Sequence, residues 1–411
     1  MNYQIEDVFS PRSFPQNTYI SRKLDDGETV DDRLKRALSM KGNLIFVTGA
    51  SKSGKTVLCH NVISSESYIA LSGHQISTKA DFWNHIAEQL PLSDAVVLTT
   101  GEQNSNNKAS QAELKLNLGI ASLGASINSN TGNNMNQQLA MTNNRTERQI
   151  IRYLIDNNKV LVLDDFHYVA ADMQMYIART LKTELFNGLK AVIISLPHRS
   201  DEAIICNPDL IGRTTSIEIL PWSAEELRAI AVKGFALLGL QIGEAEEHLL
   251  AQESIASPQL MQENCFQLAF ASVQKQLAIQ PDLVRYAFRQ TARNYAHYER
   301  LVQAIRQGPA QGIGRRKSYL LQDGAVDIYQ LLLLALKEDP PVTELSLGAL
   351  KERLRQLLCT QATPSSSVIS AALNKIIKIV AELMPDLDAL EYKNQCLYIL
   401  DPFLLFYLRW K

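Results

Sequence analysis

Cysteine is scarce in this sequence, and its arrangement excludes two common uses of the residue. The five cysteines lie far apart along 411 residues, and no two of them form a C-x-x-C pair. Each has apolar neighbours. We therefore expect reduced side chains in the core, and neither a zinc site nor a disulfide framework.

Long apolar runs, a secretory leader and an excess of one charge are also missing. The best membrane candidate, residues 397–408, is interrupted by Asp401-Pro402 and is shorter than the roughly 18 residues of a membrane helix. The first residues lack the basic and apolar regions of a secretory signal. A net charge of -2 gives no overall attraction to nucleic acid or to anionic membranes. We therefore expect a cytoplasmic protein with no membrane partner.

The most informative motif is Gly-x-x-x-x-Gly-Lys-Thr at residues 49–56, which follows an apolar run and leads into a helical pattern. This strand, loop and helix context is the one that a phosphate-binding P-loop needs, although a Gly/Ser-rich turn could match by chance. Its glycines let backbone amides approach an anion, its lysine reaches the β- and γ-phosphates, and its threonine hydroxyl coordinates Mg²⁺. The residues that we expect to bind nucleotide are Gly49, Ala50, Ser51, Lys52, Ser53, Gly54, Lys55, Thr56 and Val57.

A second motif places two acids after a buried strand. Residues 160–163 are apolar and are followed by Asp164 and Asp165, which is the Walker B pattern. Two adjacent carboxylates repel each other unless a cation lies nearby. We expect Asp164 to hold Mg²⁺, together with Thr56, and Asp165 to orient the attacking water.

Alternating strand and helix patterns predict an α/β fold with three layers, in which a parallel sheet is covered on both faces and binds its ligand at the carboxyl ends of the strands. Ser195 ends the strand at 191–195, where a sensor of the γ-phosphate would lie. Arg213 precedes the last strand and is a candidate finger for a neighbouring subunit's site. Arg199 is the rival, and either arginine could simply pair on the surface.

The length is enough for two or three domains. Residues 1–42 read as a lead-in that folds over the nucleotide, with Tyr19 and Arg22 as contact candidates; alternatively, the tyrosine packs and the arginine pairs with a carboxylate. Residues 43–220 form the P-loop domain. Within it, the stretch 95–144 is polar and nearly free of charge and predicts an inserted, flexible β-hairpin.

Residues 221–308 show only helical patterns and predict a helical lid. Pro258 follows Ser257 at the start of its third helix, a position that is ordinary for capping and that can also touch a nucleotide. Residues 309–317 are Gly-rich with a short basic run and read as a linker.

Residues 318–411 contain three helical patterns and a possible two-stranded hairpin, which predict a winged helix. Such folds often read DNA through the third helix. That helix offers only Lys375 and Lys378 for phosphate contact, so contact with protein is favoured over contact with DNA.

With these elements in this order, the chain resembles the AAA+ and STAND classes of P-loop ATPase. Within them it is similar to bacterial ATP-binding proteins related to the origin-recognition ATPases, a group associated with anti-phage defence. Further segments carry this likeness: 14–22, 220–223, 257–258 and 401–410. The resemblance implies ATP and Mg²⁺ as ligands and a nucleotide-dependent oligomer of the chain with itself.

Two departures from the AAA+ pattern favour a slow switch over a motor. Many motors have Asp-Glu where this chain has Asp164-Asp165, and the shorter side chain reaches water less easily. No arginine marks the start of the third lid helix, where Ser257-Pro258 is more similar to STAND switches.

The function expected from the sequence is therefore an ATP-hydrolysing molecular switch that oligomerises or controls a separate effector protein. The rival is a DNA-remodelling AAA+ ATPase, an initiator or transposition helper, with residues 315–317 on DNA. A third possibility is a peptide-threading motor with the inserted hairpin in its pore, although that hairpin lacks an obvious aromatic tip.

Overall fold

The computed structural model describes residues 3–91, 147–196, 212–309, 316–359 and 363–411, apart from 386 and 388. The insertion predicted at 95–144 lies outside these residues, as do Arg199 and Arg315. Within the described ranges, no helix combines the length and the apolar character that crossing a bilayer requires.

Five strands form the central sheet, and every neighbouring pair is parallel. The strands are β1 (Leu44–Gly49), β2 (Tyr68–Ser72), β3 (Val160–Asp164), β4 (Lys190–Ser195) and β5 (Thr214–Ile219). Their order across the sheet is β2, β3, β4, β1, β5. Parallel strands present their carboxyl ends at one edge, so the residues that follow β1 and β3 share that edge.

Helices cover both faces of the sheet. They are α2 (Val30–Ser39), α3 (Lys55–Val62), α4 (Lys79–Glu88), α5 (Glu147–Asp156) and α6 (Ala171–Phe186), with the short α1 (Ile5–Val8) before them. Because side chains alternate along a strand, Ile45 and Val47 pack with α2 and α3, whereas Leu44 and Phe46 pack with α4, α5 and α6. The predicted three-layer α/β fold is confirmed.

The next part of the chain, 221–308, consists of five helices joined by short connections. Its helices are α7 (Ala224–Leu238), α8 (Glu244–Glu253), α9 (Pro258–Lys275), α10 (Pro281–Asn294) and α11 (Tyr298–Gln307). Ser223 and Glu226 form a reciprocal capping box at the start of α7. Ser257 caps α9, and Pro258 occupies its first turn, where the missing N–H costs nothing.

The lead-in packs against this helical region. The ring of Phe9 lies 5.1 Å from that of Phe235, centroid to centroid. Gly234 leaves the space for it, since a Cβ there would lie 2.2 Å from the Phe9 ring. The lead-in is thereby fixed to the lid helices before it passes over the edge of the sheet.

The C-terminal unit contains a ribbon, three helices, a small sheet and a final helix. Its elements are β6 (Tyr319–Leu321), β7 (Gly324–Val326), α12 (Ile328–Lys337), β8 (Glu344–Ser346), α13 (Leu347–Leu357), α14 (Ser366–Leu383), β9 (Leu390–Lys393), β10 (Cys396–Ile399) and α15 (Pro402–Trp410). Strand β10 pairs antiparallel with both β8 and β9. Three helices and the β9–β10 hairpin follow the predicted order, and the winged helix stays a prediction. The β6–β7 ribbon, β8 and α15 were not predicted.

The lid and the C-terminal unit share one hydrophobic core, in which Leu260 and Phe288 belong to the same cluster as Leu332 and Phe406. A buried ion pair joins them as well. The Arg409 guanidinium lies 2.6 Å from the Glu253 carboxylate, and the Trp410 indole donates to the same carboxylate at 2.6 Å. We therefore treat α7–α11 and the C-terminal unit as one body.

Breaking this ion pair should unfold that body more easily. We expect Glu253→Gln to lower the free energy of unfolding by about 3 kcal/mol, because it leaves a buried guanidinium with only the exposed carboxylate of Asp339 as counter-charge. Chemical denaturation measures this. The matched control is Glu352→Gln, which removes an exposed i,i+3 pair with Arg355 and should change little. Equal effects of the two substitutions would contradict the prediction.

Candidate functional site

A cavity of about 820 Å³ opens at the carboxyl edge of the sheet. Four parts of the chain line it: the P-loop with the acid pair, the lead-in from Ser10 to Arg22, lid residues that include Trp222 and Pro258, and Asp401 of the C-terminal unit. The cavity therefore lies where the α/β domain meets the body formed by the lid and the C-terminal unit.

The glycines of the loop are required by its geometry. Gly54 has φ 96, in the left-handed region that glycine adopts without strain. A Cβ on Gly49 would lie 2.8 Å from the main-chain oxygen of Ile219 in β5. Without these two residues the loop could neither turn nor pack against the neighbouring strand.

Lys55 lies inside the loop. Its ammonium donates to the main-chain oxygens of Gly49 at 2.9 Å and Ala50 at 2.7 Å. Burial lowers the pKa of this lysine to about 8, although Asp164 and Asp165 oppose the shift. An ammonium has three N–H donors, so one is left for an anion. A phosphate in the loop would stabilise this ammonium, which burial has separated from water.

Thr56 and Asp164 meet across the sheet edge, as the metal prediction needs. The Thr56 hydroxyl donates to Asp164 Oδ2 at 2.6 Å. Hydroxyl and carboxylate oxygens are hard ligands that suit Mg²⁺, which keeps several waters and phosphate oxygens and so needs few protein ligands. The two residues present therefore fit this ion.

Asp165 lies beside this pair in an unusual backbone conformation. Its φ is 53, a left-handed value that Asp tolerates better than most residues. Burial and the neighbouring Asp164 both raise the pKa of its carboxyl, while Lys55 and His74 act against the shift. Two adjacent carboxylates repel each other, and a cation at this position would relieve that repulsion.

Gly73 is the residue that follows β2, and it lets the turn after Asp165 pack closely against the end of that strand. A Cβ on Gly73 would lie 2.2 Å from the Asp165 main-chain oxygen. We expect Gly73→Ala to displace that turn, to lower the free energy of unfolding by about 1–3 kcal/mol, and to reduce nucleotide hydrolysis. Thermal unfolding and a phosphate-release assay measure the two effects.

Gly348→Ala is the control for that substitution. Gly348 lies in α13, and its nearest neighbour to an added Cβ is a side-chain oxygen at 3.9 Å. Alanine should therefore leave hydrolysis near the parent's and leave stability unchanged or up to about 1 kcal/mol higher, since alanine favours a helix more than glycine does. If Gly73→Ala also left both unchanged, the close packing of the turn would have no role.

Tyr19 and Arg22 both line the cavity, but both are held by protein groups. The Tyr19 hydroxyl donates to Asp31 at 2.8 Å. Arg22 forms an ion pair with Glu226 at 2.8 Å and lies 4.7 Å from the centroid of the Trp222 ring. Arg22 pairs with a carboxylate, as the alternative interpretation expected, so its side chain closes the wall of the cavity.

Ser195 lies at the carboxyl end of β4 and pairs with Thr48, the residue that precedes the loop. Ser195 is buried, and its hydroxyl has no hydrogen-bond partner among the described residues. The following residue, Leu196, lines the cavity, whereas Ser195 does not. The sensor role of this serine stays a prediction.

Arg213 is exposed and precedes β5 at the amino edge of the sheet, where its main-chain oxygen accepts from Leu44 N at 2.9 Å. The P-loop lies at the other end of β1, about 20 Å away for a six-residue strand. Arg213 therefore cannot reach the site of its own chain, and the finger role predicted for it requires a neighbouring chain.

Pro258 lies next to the loop, 4.0 Å from the position of a Cβ on Gly54. Sequence reasoning missed other neighbours of the loop. The Trp222 indole donates to the main-chain oxygen of Ser53 at 2.8 Å, and Asp401 accepts from Lys52. The carboxylate of Asp31 also binds Ser21 and Asn61, which joins the lead-in to α3. The one feature of the sequence that could have indicated this network is Asp31, an acid on the apolar face of α2.

No protein-family model matches this sequence, and no curated protein matches it. Solved structures similar to it include Cdc6p from Pyrobaculum aerophilum, at 14% identity and a TM-score of 0.44, covering 98% of this chain and 97% of that one. The ORC2 protein of Aeropyrum pernix has 13% identity and a TM-score of 0.48, covering 98% of this chain and 97% of that one. A Walker-type ATPase of Pyrococcus abyssi has 10% identity and a TM-score of 0.48, covering 92% of this chain and 94% of that one. All three TM-scores are below 0.5. The description of the fold therefore rests on the strand order and contacts of this chain.

Proposed function

We propose that the chain is an ATPase of the AAA+/STAND type that acts as a molecular switch. The observation that supports this best is the meeting of three groups at one end of the cavity: the Lys55 ammonium inside its loop, the Thr56–Asp164 pair and the Asp165 carboxylate. The loop amides and Lys55 would bind the phosphates, and Thr56 and Asp164 would hold Mg²⁺.

In this proposal Asp165 orients the water that attacks the γ-phosphate, and Mg²⁺ supplies charge stabilisation to the phosphates when bound. The carboxylate of Asp is one methylene shorter than that of Glu. We therefore expect slow hydrolysis, which gives the ATP-bound state a long lifetime and suits a switch.

The position of the cavity supports the switch proposal. A ligand shifts a conformational equilibrium only through unequal affinity for the two states. The cavity is lined both by the α/β domain and by the body that joins the lid to the C-terminal unit, so the affinity for nucleotide depends on how these two parts are arranged. The proposed output is oligomerisation, with Arg213 reaching a neighbour's site, and control of a separate effector protein, in a role related to anti-phage defence.

The rival function, DNA remodelling by a winged helix, is less favoured by the described surface. Arg316, from the basic run, is bound by Asp327 at 2.7 Å and stacks on Tyr329 at 4.9 Å. Lys378 of α14 lies 4.0 Å from Glu382. These cations are partly balanced within the protein, which leaves less charge for phosphate contacts.

Mass measurement in solution tests the proposal. We expect ATP with Mg²⁺ to convert the parent into a larger assembly, and Arg213→Ala to bind nucleotide normally but to assemble poorly. Arg179→Ala, at an exposed arginine of α6, is the control and should assemble like the parent. An unchanged mass of the parent with bound nucleotide would exclude ATP-driven assembly. Binding to duplex DNA that weakens steeply with salt would favour the rival instead.

A further inference from the structure

An ion pair connects the phosphate-binding loop to the C-terminal unit. The ammonium of Lys52, in the middle of the loop, lies 3.1 Å from Asp401 Oδ1 and 4.0 Å from the centroid of the Phe403 ring. The two charged residues are 349 positions apart in the sequence. A residue of the nucleotide site is therefore held by the part of the chain that is farthest from it in sequence.

Asp401 is built into this position. Its side chain is only 3% exposed, and it caps α15 by accepting from Phe403 N at 3.1 Å. It also accepts a hydrogen bond from the Tyr298 hydroxyl at the start of α11. A buried carboxylate needs a compensating cation, and Lys52 of the other body supplies it.

The same carboxylate lines the nucleotide cavity. Phosphates bound to the loop would bring several negative charges close to Asp401, and like charges repel strongly where little water separates them. The phosphates would also compete for the Lys52 ammonium. Either effect weakens the Lys52–Asp401 contact when nucleotide is bound.

We infer that the Lys52–Asp401 pair is a latch. It holds the C-terminal unit against the empty P-loop, and the phosphates of a bound nucleotide open it. The inference rests on the proposed nucleotide binding and adds the contact through which binding is transmitted. Because Tyr298 and Glu253 tie Asp401 and α15 to the lid, the lid and the C-terminal unit leave the loop together.

Coupling between two events is reciprocal, so weakening the latch must strengthen nucleotide binding. Asp401→Asn is the direct test, because it removes the charge and keeps one oxygen that can still accept from Phe403 N to cap α15. The amide N–H of Asn can donate to the Tyr298 hydroxyl in place of the hydrogen bond that Asp401 accepts from it. We expect it to bind ATP with Mg²⁺ about tenfold more tightly than the parent. Without nucleotide, small-angle scattering should show the expanded shape that the parent reaches only when nucleotide is added. A purely structural role for Asp401 would weaken binding or leave it unchanged, and either result would overturn the latch.

Two further variants complete the experiment. Glu299→Gln neutralises an acid that also contacts α15, through Tyr407, but does not line the cavity, and it should behave like the parent. Lys52→Met removes the other charge of the pair. Because Lys52 also belongs to the phosphate-binding loop, this variant is measured only without nucleotide, by small-angle scattering. If Asp401→Asn does not fold, a compact Lys52→Met variant would refute the latch and an expanded one would support it. A parent that binds no nucleotide would refute the proposed function, while the nucleotide-free shapes would still decide whether Lys52 and Asp401 hold the two bodies together.

Discussion

Lys55→Ala is expected to weaken ATP binding by about 100-fold or more. Hydrogen bonds from a charged donor contribute roughly 1.5–3 kcal/mol each, and every 1.4 kcal/mol is about tenfold in affinity. The lysine is buried inside the loop, where water cannot replace it at the phosphates. Isothermal titration with ATP and Mg²⁺ measures the loss.

The control for this variant is Lys41→Ala, which removes an exposed lysine next to the amino end of β1. The two substitutions make the same chemical change at opposite ends of one strand. Only Lys55→Ala, at the carboxyl end, should weaken nucleotide binding. Equal affinities for Lys55→Ala and the parent would mean that the loop does not bind phosphate.

Asp165→Asn is expected to slow ATP hydrolysis by about 100-fold or more while leaving ATP bound. General-base and water-orienting side chains contribute about 10²–10⁴-fold to rates. Asn tolerates the left-handed backbone found here as well as Asp does, so the turn should keep its shape. Single-turnover hydrolysis measures the rate, and the nucleotide retained after gel filtration shows that ATP is trapped.

Asp172→Asn provides the comparison, because Asp172 is an exposed acid in the first turn of α6. It should hydrolyse ATP at the parent's rate. If Asp165→Asn also did so, another group would orient the water, and the role proposed for the acid pair would be reduced to binding the metal.

The sequence predicted the parts of the site that lie close together in the chain. Residues 49–56 had to form a loop after a strand, because only that context makes their spacing useful, and β3 had to end at the acids because four apolar residues precede them. The strand order brings both to one edge of the sheet. Local pattern and the rules of parallel sheets were sufficient for this much.

Contacts between distant segments could not be predicted in this way. Nothing local distinguishes Asp401 from an ordinary helix cap, and its pairing with Lys52 depends on how two bodies are packed. Arg22 was expected either to touch nucleotide or to pair with an acid, and only the position of Glu226 in α7 decides between these. Ser195 ends its strand as predicted, but the pleat of the strand determines which face its hydroxyl takes.

The most direct test of the nucleotide site is equilibrium dialysis of the full chain against labelled ATP, with Mg²⁺ and with a chelator in its place. If the loop, Thr56 and the acid pair hold a triphosphate and its metal, the chain should bind about one ATP in the presence of Mg²⁺, and the chelator should weaken that binding severalfold. Failure to bind ATP at millimolar concentration with Mg²⁺ present would refute the site.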